Sequence, residues 1–276
     1  MARPLRIEFP GAVYFVTAHG TSGPVFQSNA DRQSFIDVLG QAVDRYGWIC
    51  HGYNLGDDHY QLLVETPRAN LSRGMRQING VFTQRHNRRH GGTGPVFQGR
   101  FKSIVVEKDR HLLNLSRYVA MARVRSGRAR KPEAWPWCHY GAMSGAAEGP
   151  DFLHTQWTLD QFAKTPGRAK QGFRNFCARD DGDLALWGEL TRGVVLGSPA
   201  FARQVARHAG LSGKRKPPRR PALSRLRKEI PDRSEWAASA YRDHGYTLAE
   251  IAAAIDLHYS SISKIIKSWE DQQAAG

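Results

Sequence analysis

The chain has 276 residues, 41% hydrophobic and 10% aromatic, and its 40 Lys and Arg against 25 Asp and Glu give a formal net charge of +15. That apolar content excludes a fully disordered chain, no run approaches the ~18 consecutive apolar residues that span a bilayer, and Met1 to Gly20 lacks an apolar stretch followed by a small-residue cleavage site. Three scattered cysteines, Cys50, Cys138 and Cys177, form no CxxC pair and read as reduced thiols of a cytoplasmic protein, so the positive charge makes nucleic acid the first partner to consider.

Ala12 to Ala18 is apolar and β-branched and is bounded by Pro10-Gly11 and Gly20, which predicts a strand. Asp31 to Tyr46 carries Phe35, Val38, Leu39, Val43 and Tyr46 at helical spacing. Trp48 to Leu55 and His59 to Thr66 are strand candidates, and Gly56-Asp57-Asp58 between them is turn chemistry that predicts a hairpin. Leu71 to Arg88 is a second helix that Asn70 or Ser72 can cap. Gly99 to Glu107 is a fourth strand, and Asp109 can cap a third helix reaching about Met121. The order β-α-β-β-α-β plus a helix predicts an α+β, ferredoxin-like domain over residues 1–145.

Residues 146–211 carry apolar residues at helix-like intervals and predict a helical extension. Residues 212–233, rich in Pro and basic residues, predict a linker. Residues 234–276 predict three short helices: one from Ser234, one opened by the capping box of Thr247 and Glu250, and one from Tyr259 or Ser260 that buries Ile262, Ile265, Ile266 and Trp269. Asp256 stands at the intervening turn, where it tolerates a left-handed backbone better than most residues. Ser261, Ser263, Lys264 and Lys267 stay outward, as on a helix-turn-helix whose last helix enters the major groove of duplex DNA. An ordinary helical hairpin is the plainer alternative.

Three basic clusters stand out. Arg85, Arg88 and Arg89 lie in RHNRRH; Arg117, Arg123, Arg125, Arg128, Arg130 and Lys131 follow; and Lys214, Arg215, Lys216, Arg219 and Arg220 fall in KRKPPRR. Each alone is as readily a solvated face, but three in one chain favour phosphate neutralisation. His59 and Gln61, two apart on a strand, point to one sheet face and could hold a Mg or Mn ion. Tyr118 on the third helix carries a hydroxyl that could act as a nucleophile, although a tyrosine among leucines is more often a packing residue.

MARPLRIEFPGAVYFVTAHG, DRQSFIDVLGQAVDRYGW, HYQLLVETPRANLSRGMRQINGVFTQRHNRRHG, GPVFQGRFKSIVVEKDRHLLNLSRYV and PEAWPWCHYGA follow one another over about residues 1–145. In these stretches the chain resembles the HUH-type single-tyrosine transposases, particularly the REP-associated tyrosine transposases of bacteria. The resemblance implies a ferredoxin-like fold that binds single-stranded and hairpin DNA. It implies a tyrosine that attacks a backbone phosphodiester, and a divalent metal held by two histidines around a bulky residue. Tyr118 matches the nucleophile, His59 the first histidine and Tyr60 the residue between. Gln61 stands where the second histidine is usual, and Ala122 where a ligating Asn is usual, so two of three expected ligands are altered. Two function classes follow: a metal-assisted DNA strand transferase or nickase, and a non-catalytic member that only binds hairpin DNA. The basic clusters at 85–89 and 117–131 are expected to border the tyrosine site under either. The resemblance is compatible with a monomer or a homodimer.

Overall fold

The computed structural model describes residues 6–179, 186–209, 221–244 and 246–274. The chain forms two units, residues 1–212 and 213–276.

In the first unit, β1 (Ala12–His19) is followed by α1 (Asn29–Tyr46), β2 (Ile49–Leu55), β3 (His59–Thr66), α2 (Leu71–His90) and β4 (Lys102–Val106). Helix α1 starts at Ser28, whose hydroxyl accepts from the Asp31 N–H while Asp31 reaches back to the Ser28 N–H. It stops at Gly47, which takes the left-handed conformation with φ 64°. The strands lie in the order β2-β3-β1-β4, each pair antiparallel, which is the ferredoxin-like arrangement expected from the sequence.

Period-two alternation divides the sheet into two faces. Tyr14, Val16, Tyr60, Leu62 and Val64 pack on one face against Phe35 and Leu39 of α1 and Ile78 and Phe82 of α2. Val13, Phe15, Leu63 and Val106 pack on the other against Leu112, Leu115 and Val119 of α3 (Lys108–Ala120). Each such large apolar side chain contributes on the order of 1.5–3 kcal/mol by leaving water. Two ion pairs set the direction of α3. Lys108 Nζ lies 2.6 Å from Glu65 Oε2 at one end of β3. Beyond the other end, Arg123 of the short α4 (Ala122–Arg125) lies 3.0 Å from Asp57 Oδ2. Helix α3 therefore runs antiparallel to β3, with Tyr118 in its last turn.

The expected caps differ. Asn70 makes no capping bond; its side chain accepts from Trp48 Nε1 at 2.8 Å and donates to the Tyr46 carbonyl at 3.0 Å, so a tertiary demand takes precedence over the local one. Helix α3 begins after Glu107 rather than at Asp109, and the Glu107 carboxylate accepts from the Ser198 N–H at 2.7 Å.

The region 146–211 is not wholly helical. After α5 (Tyr140–Ser144), α6 (Gln156–Asp160) and α7 (Pro166–Ala178), the chain adds β5 (Leu190–Thr191) and β6 (Val195–Leu196), then α8 (Pro199–His208). Strand β6 runs parallel to β4 and extends the sheet to six strands in the order β2-β3-β1-β4-β6-β5. Two-residue strands carry no readable alternation, and they form here because the edge of β4 offers unpaired amides, as in the 2.9 Å bond from Val105 N to the Val194 carbonyl.

The second unit contains α9 (Leu223–Glu229), α10 (Arg233–Arg242), α11 (Leu248–Ala253) and α12 (Tyr259–Ala274). Helix α9 lies within the expected linker. Leu226 is buried with Trp236, Ala237, Ile251, Ile262 and Ile266, so the linker's second half belongs to this small core. The Thr247–Glu250 capping box is present and Asp256 has φ 52°, as the sequence requires.

Asp31 joins the two helices behind the sheet. Its carboxylate is fully buried and accepts from Ser28, Arg89 (2.6 Å) and His90 (2.9 Å). Burial alone would raise its pKa, but those hydrogen bonds outweigh burial and hold it at about 2. Asp31→Asn is expected to lower stability by about 1–3 kcal/mol, because a fully buried carboxylate that accepts from Ser28, Arg89 and His90 loses part of its hydrogen bonding; a urea midpoint within error of wild type would refute the pairing. The folded pKa lies below the unfolded one, so Asp31's contribution is present above about pH 4 and is lost as pH falls towards 2.

Candidate active site

The site is built on the sheet face covered by α3. The β1–β3 register pairs Phe15 with Leu63, Thr17 with Gln61 and His19 with His59. Alternation places these three rungs on the same face as Tyr118, at successive steps of roughly 6.6 Å. The Tyr118 ring, half-buried, meets the first rung: it stands edge-on to Phe15 with centroids 6.1 Å apart and edge-on to Trp187 at 5.2 Å. The Arg125 guanidinium covers the ring face, 3.8 Å from its centroid, and Arg125 Nη1 donates to the Tyr118 carbonyl at 2.9 Å.

The middle rung is polar and dry. Gln61 is 9% exposed, and the β2–β3 register sets Asn54, 1% exposed, beside it. Gln61 Oε1 and both polar atoms of the Asn54 side chain have no hydrogen-bond partner. A buried amide left unpaired costs about 1–3 kcal/mol, so two on adjacent strands mark a place where the fold concedes stability.

On the third rung the His19 and His59 rings stack with centroids 5.1 Å apart. Asp58 Oδ1 lies 2.7 Å from His59 Nδ1, a contact that orients the imidazole. One ligand atom from each of His19, Asp58 and His59 falls within 4.8 Å of the others, close to the span of roughly 4 Å across one divalent cation. Burial, and then the neighbouring His59, keep the His19 imidazole below its ordinary pKa, which favours the neutral form that a metal site requires. Two backbone features fix the cluster. A Cβ on Gly56 would meet the His59 ring at 2.6 Å, and the Gly20 N–H bonds the Asp58 carbonyl at 2.7 Å. The expected pair was His59 with Gln61. The cluster that converges instead joins His59 to His19 across the strands and to Asp58 beside it. Ala122, buried where α4 begins, has no ligating side chain.

Residues 13–122, which include Tyr118 and His59, match the family described as "Transposase IS200 like". Over those residues, about two fifths of its length, the chain is similar to the IS200-like transposases. A solved structure of a REP-associated tyrosine transposase bound to a REP hairpin is similar over 54% of this chain and 89% of that chain, at 15% sequence identity and a TM-score of 0.45. No curated protein sequence matches the chain.

The IS200-like domain distributes its basic residues differently from the sequence expectation. Arg85, Arg88 and Arg89 lie on α2, behind the sheet and opposite Tyr118, so this cluster does not border the tyrosine. The reason is the alternation of β3, which sends Tyr60 towards α2 and its neighbours His59 and Gln61 towards α3. Arg89 is paired with Asp31, whereas Arg85 and Arg88 line a shallow cleft with Gln33 and Asp37 of α1. Arg125 does lie at the tyrosine, and Arg117 stacks over Phe176 at 4.5 Å. Lys214, Arg215, Lys216, Arg219 and Arg220 fall outside the described residues. In the second unit Ser263, Lys264 and Lys267 are exposed and Ser261 is half-buried, opposite Ile262 and Ile266. His19, Asn54 and Asp58, which the fold brings to the candidate site, are not among the residues the sequence singles out. The strand register would have found the first two, whereas Asp58 was read only as turn chemistry.

Among the described residues no helix is long and apolar enough to cross a membrane.

Proposed function

We propose that the IS200-like domain is a DNA strand transferase or nickase acting on single-stranded or hairpin DNA through Tyr118. The observation that carries this reading is the placement of Tyr118 on the same sheet face as the His19–His59 rung. The Tyr118 oxygen bonds to the phosphorus of a backbone phosphodiester and the P–O3′ bond breaks. The phenol loses its proton and the 3′ oxygen gains one, leaving a 5′-phosphotyrosine link and a free 3′-OH. Attack of a 3′-OH on that link reverses the chemistry and transfers the strand. His19, Asp58 and His59 would hold a divalent cation, and this donor set suits Mn more than Mg. Such an ion would polarise the scissile phosphate. Arg125 supplies positive charge beside the tyrosine. A labelled hairpin oligonucleotide incubated with Mn is expected to give a covalent protein–DNA adduct; no adduct with several metals and hairpins would refute the reading.

A second reading, hairpin binding without chemistry, draws on Gln61 and Ala122 in place of expected ligands. It predicts hairpin affinity without an adduct.

The second unit fits a duplex reader that presents Ser261, Ser263, Lys264 and Lys267 of α12 to a major groove. Deleting residues 222–276 is expected to weaken duplex binding at least tenfold while changing hairpin binding much less. Equal loss on both substrates in a binding titration would count against a separate duplex module.

A further inference from the structure

We propose that the cleft between β1, β4 and the β5–β6 turn is a track for one DNA strand, which leads its phosphates to Tyr118; this deepens the transferase reading and rests on it. The cleft encloses about 510 Å³, and Arg6, Arg100, Lys102 and Arg192 line it together with Phe15 and Thr17. Among the described residues, no acidic one lines it. Four cations gathered around one concavity repel each other, and an anion that joins them relieves that repulsion. The repulsion is visible at Arg6: burial and then the neighbouring Arg100 hold its guanidinium below its ordinary pKa. Arg6 is held in place by stacking over Phe101 at 3.8 Å and by donating to Ser72 Oγ at 3.2 Å.

Arg192 is the second, independent sign. It has φ 52° and is followed by Gly193 at φ 70°, with the Val194 N–H returning to the Thr191 carbonyl at 3.1 Å. This is a type I′ hairpin turn, whose first central position favours Asn, Asp or Gly. An arginine there sits in a backbone region that costs roughly 1–2 kcal/mol, and it brings a charge to the cleft wall in return.

The size of the cleft sets the occupant. A volume of this order accommodates a small ligand or a nucleotide or so of a strand, not the width of a duplex. Its apolar wall leads to the chemistry, because Phe15 is both a cleft residue and the residue on which the Tyr118 ring rests. The cations engage phosphates, so the track reads backbone and tolerates sequence.

The test uses the full chain carrying Tyr118→Phe, so that binding is measured without chemistry. Into this background go Arg100→Gln, Lys102→Gln and Arg192→Gln, all at exposed positions. Anisotropy of a labelled 20-nucleotide single strand is followed over a salt series. The triple variant is expected to bind at least tenfold more weakly at low salt. The log–log salt slope should be shallower by about 2, near 0.7 for each of three lost phosphate contacts. Unchanged affinity and slope would overturn the track, as would equal loss on a blunt 20-base-pair duplex or tighter binding of the matching RNA strand. Arg192→Gly gives an arm that does not depend on the triple variant folding: it should raise the thermal midpoint by relieving the turn while weakening single-strand binding. A raised midpoint with unchanged binding would overturn the role of Arg192. Should the wild-type chain form no tyrosine adduct while the triple variant still loses single-strand affinity, the chemistry fails and the track stands.

Discussion

Tyr118→Phe is expected to abolish the covalent DNA adduct while leaving hairpin and single-strand affinity within about twofold of wild type. The substitution removes one oxygen. The ring keeps its edge contacts with Phe15 and Trp187 and its stacking under Arg125, so the fold around α3 has no reason to change. An interaction made only in the chemical step is then lost without loss of binding. An adduct that survives in denaturing gels would move the nucleophile elsewhere, and a parallel collapse of binding would make Tyr118 a binding residue. The seat itself gives a second readout. In helices side chains lean towards the N-terminus, and here the Tyr118 ring rests against Phe15, four strand residues from His19, or about 13 Å. Trp187 closes the seat from the segment that precedes β5. Trp187→Ala should therefore raise the rate of adduct formation severalfold, by increasing the fraction of molecules whose phenol is free to turn towards the histidines. A slower rate would mean that the observed seat is the reacting geometry.

Much of this arrangement was legible in the sequence, and the parts that were not share a physical cause. The core strands and helices of residues 1–145 are long enough for their periodicity to declare them, and the α+β order followed. The shared face of His59 and Gln61 was legible from the β3 alternation, whereas Tyr118 was singled out by the resemblance and not by its own spacing on α3. What single elements cannot declare is register. His19 sits in a sequence that gives no hint of a ligand, and only the pairing of β1 with β3 brings it opposite His59. Asn54 meets Gln61 for the same reason. Charge runs misled in the opposite way. RHNRRH is conspicuous in the sequence, yet one of its arginines neutralises Asp31 behind the sheet. Arg6, Arg100, Lys102 and Arg192 are scattered over almost the whole first unit, and only the fold gathers them into one cleft. The two-residue strands β5 and β6 were invisible because edge pairing, rather than their own pattern, creates them.

The position of the cation can be decided by substitution, because two arrangements compete for His59. In the one expected from the resemblance, His59 and Gln61 share the ion, two residues apart on one strand. In the one the fold assembles, His59 shares it with His19 and Asp58. The two differ in which neighbour matters. Mn binding, followed by electron paramagnetic resonance of the free ion, is expected to weaken by about 10–100-fold in His19→Ala and in Asp58→Asn, the range typical for removing a supporting or ligating group. Gln61→Ala should leave it within about twofold. The reverse pattern would restore the His59–Gln61 pair and leave His19 as a stacking partner only. Gly56→Ala supplies a check that changes no ligand. Its Cβ would meet the His59 ring at 2.6 Å and must displace it from its present position, so Mn affinity should fall with all donors present. Gln61 itself lies buried beside Asn54, with its acceptor Oε1 unpaired. The two amides form a buried polar floor between the histidine rung and the tyrosine rung. Gln61→Leu should accordingly raise stability by about 1–3 kcal/mol, since a buried unpaired amide is replaced by an apolar group of similar size. It should also slow adduct formation without loss of Mn. Lower stability in that variant would mean that Gln61 is satisfied in solution and that the floor is structural.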